Sequence, residues 1–305
     1  MRFDITLLTE QKYIAPAKID TYNTNIMLED KLVFDALTEI GLKVNRVAWN
    51  DVDFDWNTTK FALFRTTWDY FDHLDAFSNW FVKTAKQTTF INSKDLIDWN
   101  IDKHYLRDLE NKGIAIPNTL FMEPKEDLNL LQAIQKAKDS HGFNTDTFVL
   151  KPCIAAGARH TYKFHYSNWE KLNQTFKDLI SQEALMLQEF QKNIVTKGEV
   201  SMMLFEGRFT HAVLKTAKKG DFRVQDDYGG AVHEYKVNQR EISFAEKVIK
   251  ACPELPLYAR VDIFEDNSGE IVLAELELFE PELWFRLNTE AAKYFAKRLK
   301  ERYFR

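Results

Sequence analysis

The sequence predicts an α/β lobe followed by two α+β lobes. Two observations carry this: short apolar runs alternate with helical periodicity over the first hundred residues, and strand patterns dominate from Leu185 onward. Phe3 to Leu8 is an apolar run and the expected first strand. In Glu29 to Ile40 the apolar residues Leu32, Val33, Ala36, Leu37 and Ile40 recur at helical spacing, and Gly41 stops the helix. Val44 to Trp49 and Lys60 to Phe64 follow as strands. Strands separated by helices point to a parallel sheet.

A second unit opens near Asn100. Asp102 to Lys112 reads as a helix stopped by Gly113, and Leu128 to Ser140 as another. Between them Ile114 to Phe121 contains Pro117. A strand over Thr147 to Lys151 leads into a loop, Pro152 to His160. Further strands are expected over Leu185 to Phe190, Glu199 to Phe205, Arg208 to Lys215, Tyr258 to Phe264 and Glu270 to Phe279. A basic amphipathic helix, Glu290 to Arg302, closes the chain. The expected division is 1–115, 116–184 and 185–305.

Composition narrows the function classes. The chain has 305 residues, 45% hydrophobic and 29% charged, enough apolar mass for a real core. A formal net charge of −5 gives no electrostatic footprint for nucleic acid. No stretch approaches the roughly 20 apolar residues of a membrane span. The N-terminus MRFDITLLTEQ lacks a signal-peptide core, and Cys153 and Cys252 have no motif spacing, so a cytoplasmic protein is expected. The seven histidines form no HExxH or Cys/His metal pattern.

The most informative segment is YARVDIFEDNSGEIVLAELELF, Tyr258 to Phe279. With Ser268-Gly269 as a two-residue hairpin loop, Asp262 falls opposite Glu275 and Arg260 opposite Glu277. All four then project from one face, while Val261, Ile263, Ala274, Leu276 and Leu278 share the other. Opposed like charges destabilise a sheet, so the three carboxylates call for a cation, and hard oxygen ligands suit magnesium. The residues alone leave two readings open: a metal site, or a solvated polar face with Arg260 as ion-pair partner.

Seven stretches in order resemble the ATP-grasp superfamily: FRTTWDY (64–70), WNIDKHYL (99–106), FVLKP with CIAAGARHT (148–161), LQEF (187–190), GDFRVQDDYGG (220–230), ARVDIF (259–264) and AELELFEPELWF (274–285). The likeness lies near glutathione synthetase and the ribosomal-protein glutamate ligases. It is greatest to the subgroup that contains the D-cycloserine-forming cyclising ligase. The resemblance implies an ATP-grasp fold, two α+β lobes clasping ATP behind a pre-ATP-grasp α/β lobe. It assigns Lys103 and Lys151 to the phosphates, and the loop with Ala155, Ala156 and Gly157 to the triphosphate cover. Gln188, Glu189 and Phe190 match the adenine hinge and Glu199 the ribose acid. Arg223 matches the arginine that steadies the transferring phosphoryl group, and Arg260 joins it as a catalytic candidate. Asp262, Glu275 and Glu277 match the magnesium ligands, with manganese as a substitute. Glu277 stands where such relatives commonly have asparagine.

The implied activity is ATP-dependent carboxylate–amine ligation through an acyl phosphate, on small-molecule carboxylate and amine substrates. It needs no enzyme nucleophile, so Cys153 is read as a buried hydrophobe and His160 as structural. Arg65, Trp68 and Asp69 follow a strand of the first lobe, where open α/β sheets hold ligands, and are assigned to the carboxylate substrate. The plainer alternative is an Arg65–Asp69 ion pair with Trp68 in the core. A homodimer is compatible with this reading. The rival from another class is a catalytically silent nucleotide-binding module or partner subunit.

Overall fold

A computed structural model describes residues 2–17, 19–155, 157–218, 220, 221, 224 and 229–304. The first sheet contains β1 (Phe3–Thr9), then, after α1 (Thr21–Glu39), β2 (Val44–Ala48) and β3 (Thr59–Thr66), and, after α2 (Leu74–Thr84), β4 (Thr89–Ile91). Its order is β2-β1-β3-β4, all parallel. Helix α1 starts eight residues before the expected Glu29, because Asp20 caps it by accepting from the Asn23 N–H at 2.9 Å. It ends ahead of Gly41, whose φ of +88° only glycine adopts readily.

Two helices, α3 (Lys94–Ile101) and α4 (Tyr105–Asn111), lead out of this sheet. The expected helix from Asp102 therefore begins three residues later. The second sheet is antiparallel, β5 (Thr119–Met122), β6 (Thr147–Pro152), β7 (Tyr162–His165) and β8 (Leu185–Glu189), with α5 (Leu130–Ser140) and α6 (Trp169–Ile180) between its strands. Both helices lay apolar faces on it, around Leu120, Ile134, Phe148 and Phe176.

After α7 (Lys192–Lys197), the third sheet is built from β9 (Glu199–Phe205), β10 (Arg208–Thr216) and β11 (Ala231–Glu234), then, past α8 (Gln239–Ala251), β12 (Tyr258–Glu265) and β13 (Ile271–Glu277), and the chain ends in α9 (Thr289–Tyr303). Its order is β11-β10-β9-β12-β13, all antiparallel. One core on this sheet takes in α8 together with Leu96, Tyr105, Leu106 and Leu109 of α3 and α4. A second core joins Phe205 and Tyr258 to α9 and to Ile5, Val33, Leu37 and Leu63 of the first lobe. Apolar burial of this kind, about 25 cal/mol per Å², ties the first and last thirds of the chain together.

The β12–β13 hairpin corrects one sequence expectation. Glu265 pairs with Ile271, so the loop is longer than Ser268-Gly269. A bulge at Ala274 then inserts one residue between the Asp262–Glu275 and Ile263–Leu273 pairs. Longer loop and bulge offset each other, so Asp262 still faces Glu275 and Arg260 faces Glu277. Ala274 itself leaves the core face and lines a cleft.

Strand β13 is an edge strand, and neighbouring elements cap its free backbone. Leu273 N–H donates to the Ala115 carbonyl at 2.9 Å and Leu276 N–H to the Tyr105 hydroxyl at 2.9 Å. The Asn100 amide donates to the Leu276 carbonyl at 2.8 Å and accepts from Leu278 N–H at 2.7 Å. These bonds fix Glu275 and Glu277 in place.

Candidate active site

A cleft of about 260 Å³ opens between the second and third sheets. It is lined by Lys103, Lys151, Gln188, Glu189, Phe190, Glu199, Arg260, Glu275 and Glu277, all named by the sequence. Each comes from a strand end or a junction. Lys103 sits between α3 and α4, its backbone N–H donating to the Cys153 carbonyl at 2.9 Å. Lys151 lies near the end of β6, Glu199 opens β9, and the acids and Arg260 share one face of the hairpin.

The two lysines differ. Lys103 Nζ donates to the Ala155 carbonyl at 2.6 Å and pairs with Glu275 at 3.1 Å. Among the described residues, nothing bonds the Lys151 ammonium. Burial, reinforced by Lys103, holds its pKa below the usual lysine value. A half-buried cation without a partner is set up to receive an anion such as phosphate.

Oxygens of Asp262, Glu275 and Glu277 all lie within 4.8 Å of one another. Asp262 is 1% exposed, and burial alone would raise its carboxyl; Arg260 at 2.9 Å and Lys215 at 3.0 Å win and hold it far below the usual range. Glu275 is likewise lowered, against its burial, by Lys103 and Lys151. Glu277 goes the other way: burial, with Glu275 adding repulsion, pushes it well up despite its contact with Arg260. A divalent cation would relieve that repulsion, so this all-oxygen set fits magnesium. Carboxylate oxygens carry more lone-pair sites than the two cations occupy on Asp262, so it can share itself with a metal.

At the hinge, the Gln188 amide donates to Thr119 Oγ1 at 2.8 Å. The Glu189 carboxylate accepts from Asn144 N–H at 2.5 Å and the Asn118 amide at 3.3 Å, which braces the hinge from behind. Glu199 pairs with Lys215 at 2.5 Å. In the loop after Lys151, Gly157 and Ala158 have φ of +56° and +55° and line the cleft. Arg159 anchors that loop by donating to the Ile154 carbonyl at 3.1 Å and pairing with Glu183. Cys153 is fully buried, and burial pushes its thiol far up, which suits a packing role. Arg223 and Ala156 lie outside the described residues.

The first-lobe candidates do not line this cleft. Arg65 is 1% exposed, with Asp30 Oδ1 at 3.8 Å and the Phe285 ring 5.6 Å away. Asp69 accepts instead from Trp49 Nε1 at 2.7 Å, so the Arg65–Asp69 pair is absent. Trp68 Nε1 donates to the Glu280 carbonyl at 2.9 Å, a bond from the first lobe to the third.

Two charged lining residues escaped the sequence reading. Lys215, nearly buried at the end of β10, bridges Glu199 and Asp262. The signal was present, a lysine closing the apolar run of HAVLK, the same signal that marked Lys151. Glu280 lies three residues past Glu277 with 7% exposure. Burial and the nearby Glu275 raise its carboxyl to about 7. The Trp284 ring lies 5.2 Å from the Arg260 guanidinium and 5.8 Å from Lys215 Nζ, cation–π contacts that back the carboxylate clamp.

Known proteins share this fold. Residues 116–274 match the prokaryotic glutathione synthetase ATP-grasp domain, and residues 5–92 match the N-terminal domain of D-cycloserine synthetase DcsG. The chain belongs to the ATP-grasp family, and its enzyme class is the ADP-forming carbon–nitrogen ligase. It is similar to the cycloserine biosynthesis protein DcsG of Streptomyces lavendulae, 24% identical over an alignment of 290 residues that covers 88% of this chain and 92% of that one. A crystal structure of D-cycloserine synthetase DcsG superposes with a TM-score of 0.83 at 23% identity, covering 98% and 99% of the two chains. D-alanine–D-alanine ligase from Bacillus anthracis complexed with ATP gives 0.65 at 13% identity over 99% and 97%. The likeness to these structures is one of fold. Among the described residues, no helix is long and apolar enough to cross a membrane.

Proposed function

We propose that the enzyme activates a small amino-acid-like or peptide carboxylate by moving the γ-phosphoryl group of ATP onto it. An amine then attacks the acyl phosphate, giving an amide-type bond, ADP and phosphate. The observation that carries this reading is the meeting of Lys103, Lys151 and the Asp262–Glu275–Glu277 set in one cleft. Lys151 would meet phosphate directly. Gln188, Glu189 and Phe190 would hold adenine, Glu199 the ribose, and Arg223 and Arg260 would steady the transferring group. Magnesium, or manganese in its place, would be held by the three carboxylates and would neutralise charge developing on the phosphates. Catalysis is then positioning and electrostatics, with no covalent enzyme intermediate.

Arg65 supports placing the carboxylate substrate at the first lobe. Among the described residues its buried Nε and Nη1 have no hydrogen-bond partner, and an anion would supply one. Trp68 and Asp69 would hold the surrounding loop through their bonds to Glu280 and Trp49. We place the lobe boundaries at 115 and 184, and the reaction in the cytoplasm, with a homodimer as a compatible assembly. A screen of amino acids and small carboxylates, alone and with amines, for stimulated ADP release tests the function. No stimulation by any pair would favour the silent nucleotide-binding module.

A further inference from the structure

Charges lining the cleft are almost all spoken for. Lys103 is held by Glu275 and the Ala155 carbonyl, Lys215 by Glu199 and Asp262, and Arg260 by Asp262 and Glu277. Among the described residues, two charged lining groups have neither an ion pair nor a hydrogen bond from another residue, Lys151 and Glu280. The first needs an anion and is accounted for by phosphate. Glu280 needs a cation. The residue is more than nine-tenths buried, and among the described residues the one hydrogen bond to its carboxylate comes from its own backbone N–H. Its backbone is pinned by the Trp68 indole, so it stands where the first lobe meets the cleft. Burial and the neighbouring Glu275 make this carboxylate costly, and Arg260 and Lys103, which attract it, are each already paired with other acids.

We propose that Glu280 docks the cationic amine of the substrate beside the carbon that becomes the acyl phosphate and takes one of its protons, freeing the lone pair that attacks. The inference rests on the ligase reading above. A carboxylate can pair with an ammonium by a charge-assisted hydrogen bond, which discriminates it from a neutral group of similar size. The substrate class is thus a primary or amino-acid amine that enters as its ammonium.

The test compares two nucleophiles in the intact enzyme. Hydroxylamine is uncharged at neutral pH and traps an acyl phosphate as a hydroxamate without needing a carboxylate dock. With Glu280→Gln, the KM for the amine substrate should rise about ten- to a hundredfold. Hydroxamate formation and the thermal shift with ATP and magnesium should match wild type. Glu280→Asp, which keeps the charge, should recover part of the amine affinity and serves if the glutamine variant folds poorly. The proposal is overturned by an unchanged amine KM, by an equal loss with hydroxylamine, or by a variant whose main change is a higher magnesium requirement. If wild type forms no hydroxamate from any carboxylate that stimulates ADP release, the ligase reading itself fails and this role falls with it.

Discussion

At the residue scale, each charge in the cleft differs by what already holds it. Lys151 has no bonding partner among the described residues, so Lys151→Ala should weaken ATP binding with little change in folding. Glu275→Gln should mainly lower turnover and metal dependence, because that carboxylate acts through the cation. Nucleotide affinity and rate measured on both variants separate these outcomes; wild-type values in both would remove the site assignment. Asp262 is different, since it neutralises two buried cations. Asp262→Asn should destabilise the fold by about 3–5 kcal/mol in denaturant unfolding. The sign with pH follows from a folded pKa depressed below the unfolded one. Its stabilisation is present above the ordinary aspartate pKa, about 4, and is lost only as pH falls into strong acid. The asparagine variant should lose that acid-dependent part. Arg65→Lys should raise the KM for the carboxylate about ten- to a hundredfold and leave ATP affinity unchanged, since lysine lacks the planar fork. Normal substrate kinetics would make Arg65 structural.

At the element scale, the hairpin shows what a sequence reveals and what it hides. The facing pairs Asp262–Glu275 and Arg260–Glu277 were legible because side chains alternate along a strand. The loop length was not, because a bulge leaves no periodic trace, and here it restored the register that the longer loop had shifted. Helix α6 carries Trp169, Leu172, Phe176 and Ile180 at helical spacing, and α8 has an Asn238–Glu241 capping box, so both were legible but were not read. Lys215 was visible as a strand-ending lysine, whereas Glu280 was not: nothing local distinguishes it from the neighbouring acids, and its burial depends on the first lobe. Asn100 is also hidden, because its role is to cap an edge strand distant in sequence. Asn100→Ala removes both bonds to β13 and leaves buried backbone groups unpaired. It should cost about 2–6 kcal/mol, from about 1–3 kcal/mol for each unsatisfied group, and raise the magnesium concentration needed for half-maximal rate. Stability from urea unfolding and a metal titration check the two effects together; a loss of stability with unchanged metal dependence would show that β13 holds its position without Asn100.

At the scale of the whole molecule, α9 returns from the third sheet to pack on α1 and the first sheet, which makes the first and last lobes one support. The second lobe, with its own core, brings Lys151 and the hinge to that support. A nucleotide in the cleft would therefore touch two cores at once, and its binding should stabilise the fold by mass action, about 2.7 kcal/mol at a hundredfold excess over Kd. The central claim is that this cleft holds ATP with a divalent cation. The most direct measurement is the melting temperature of wild type and Lys151→Ala with millimolar ATP and magnesium. The account predicts a rise of several degrees for wild type that needs both ATP and the metal and is much smaller in the variant; an unchanged wild-type melting temperature would contradict it.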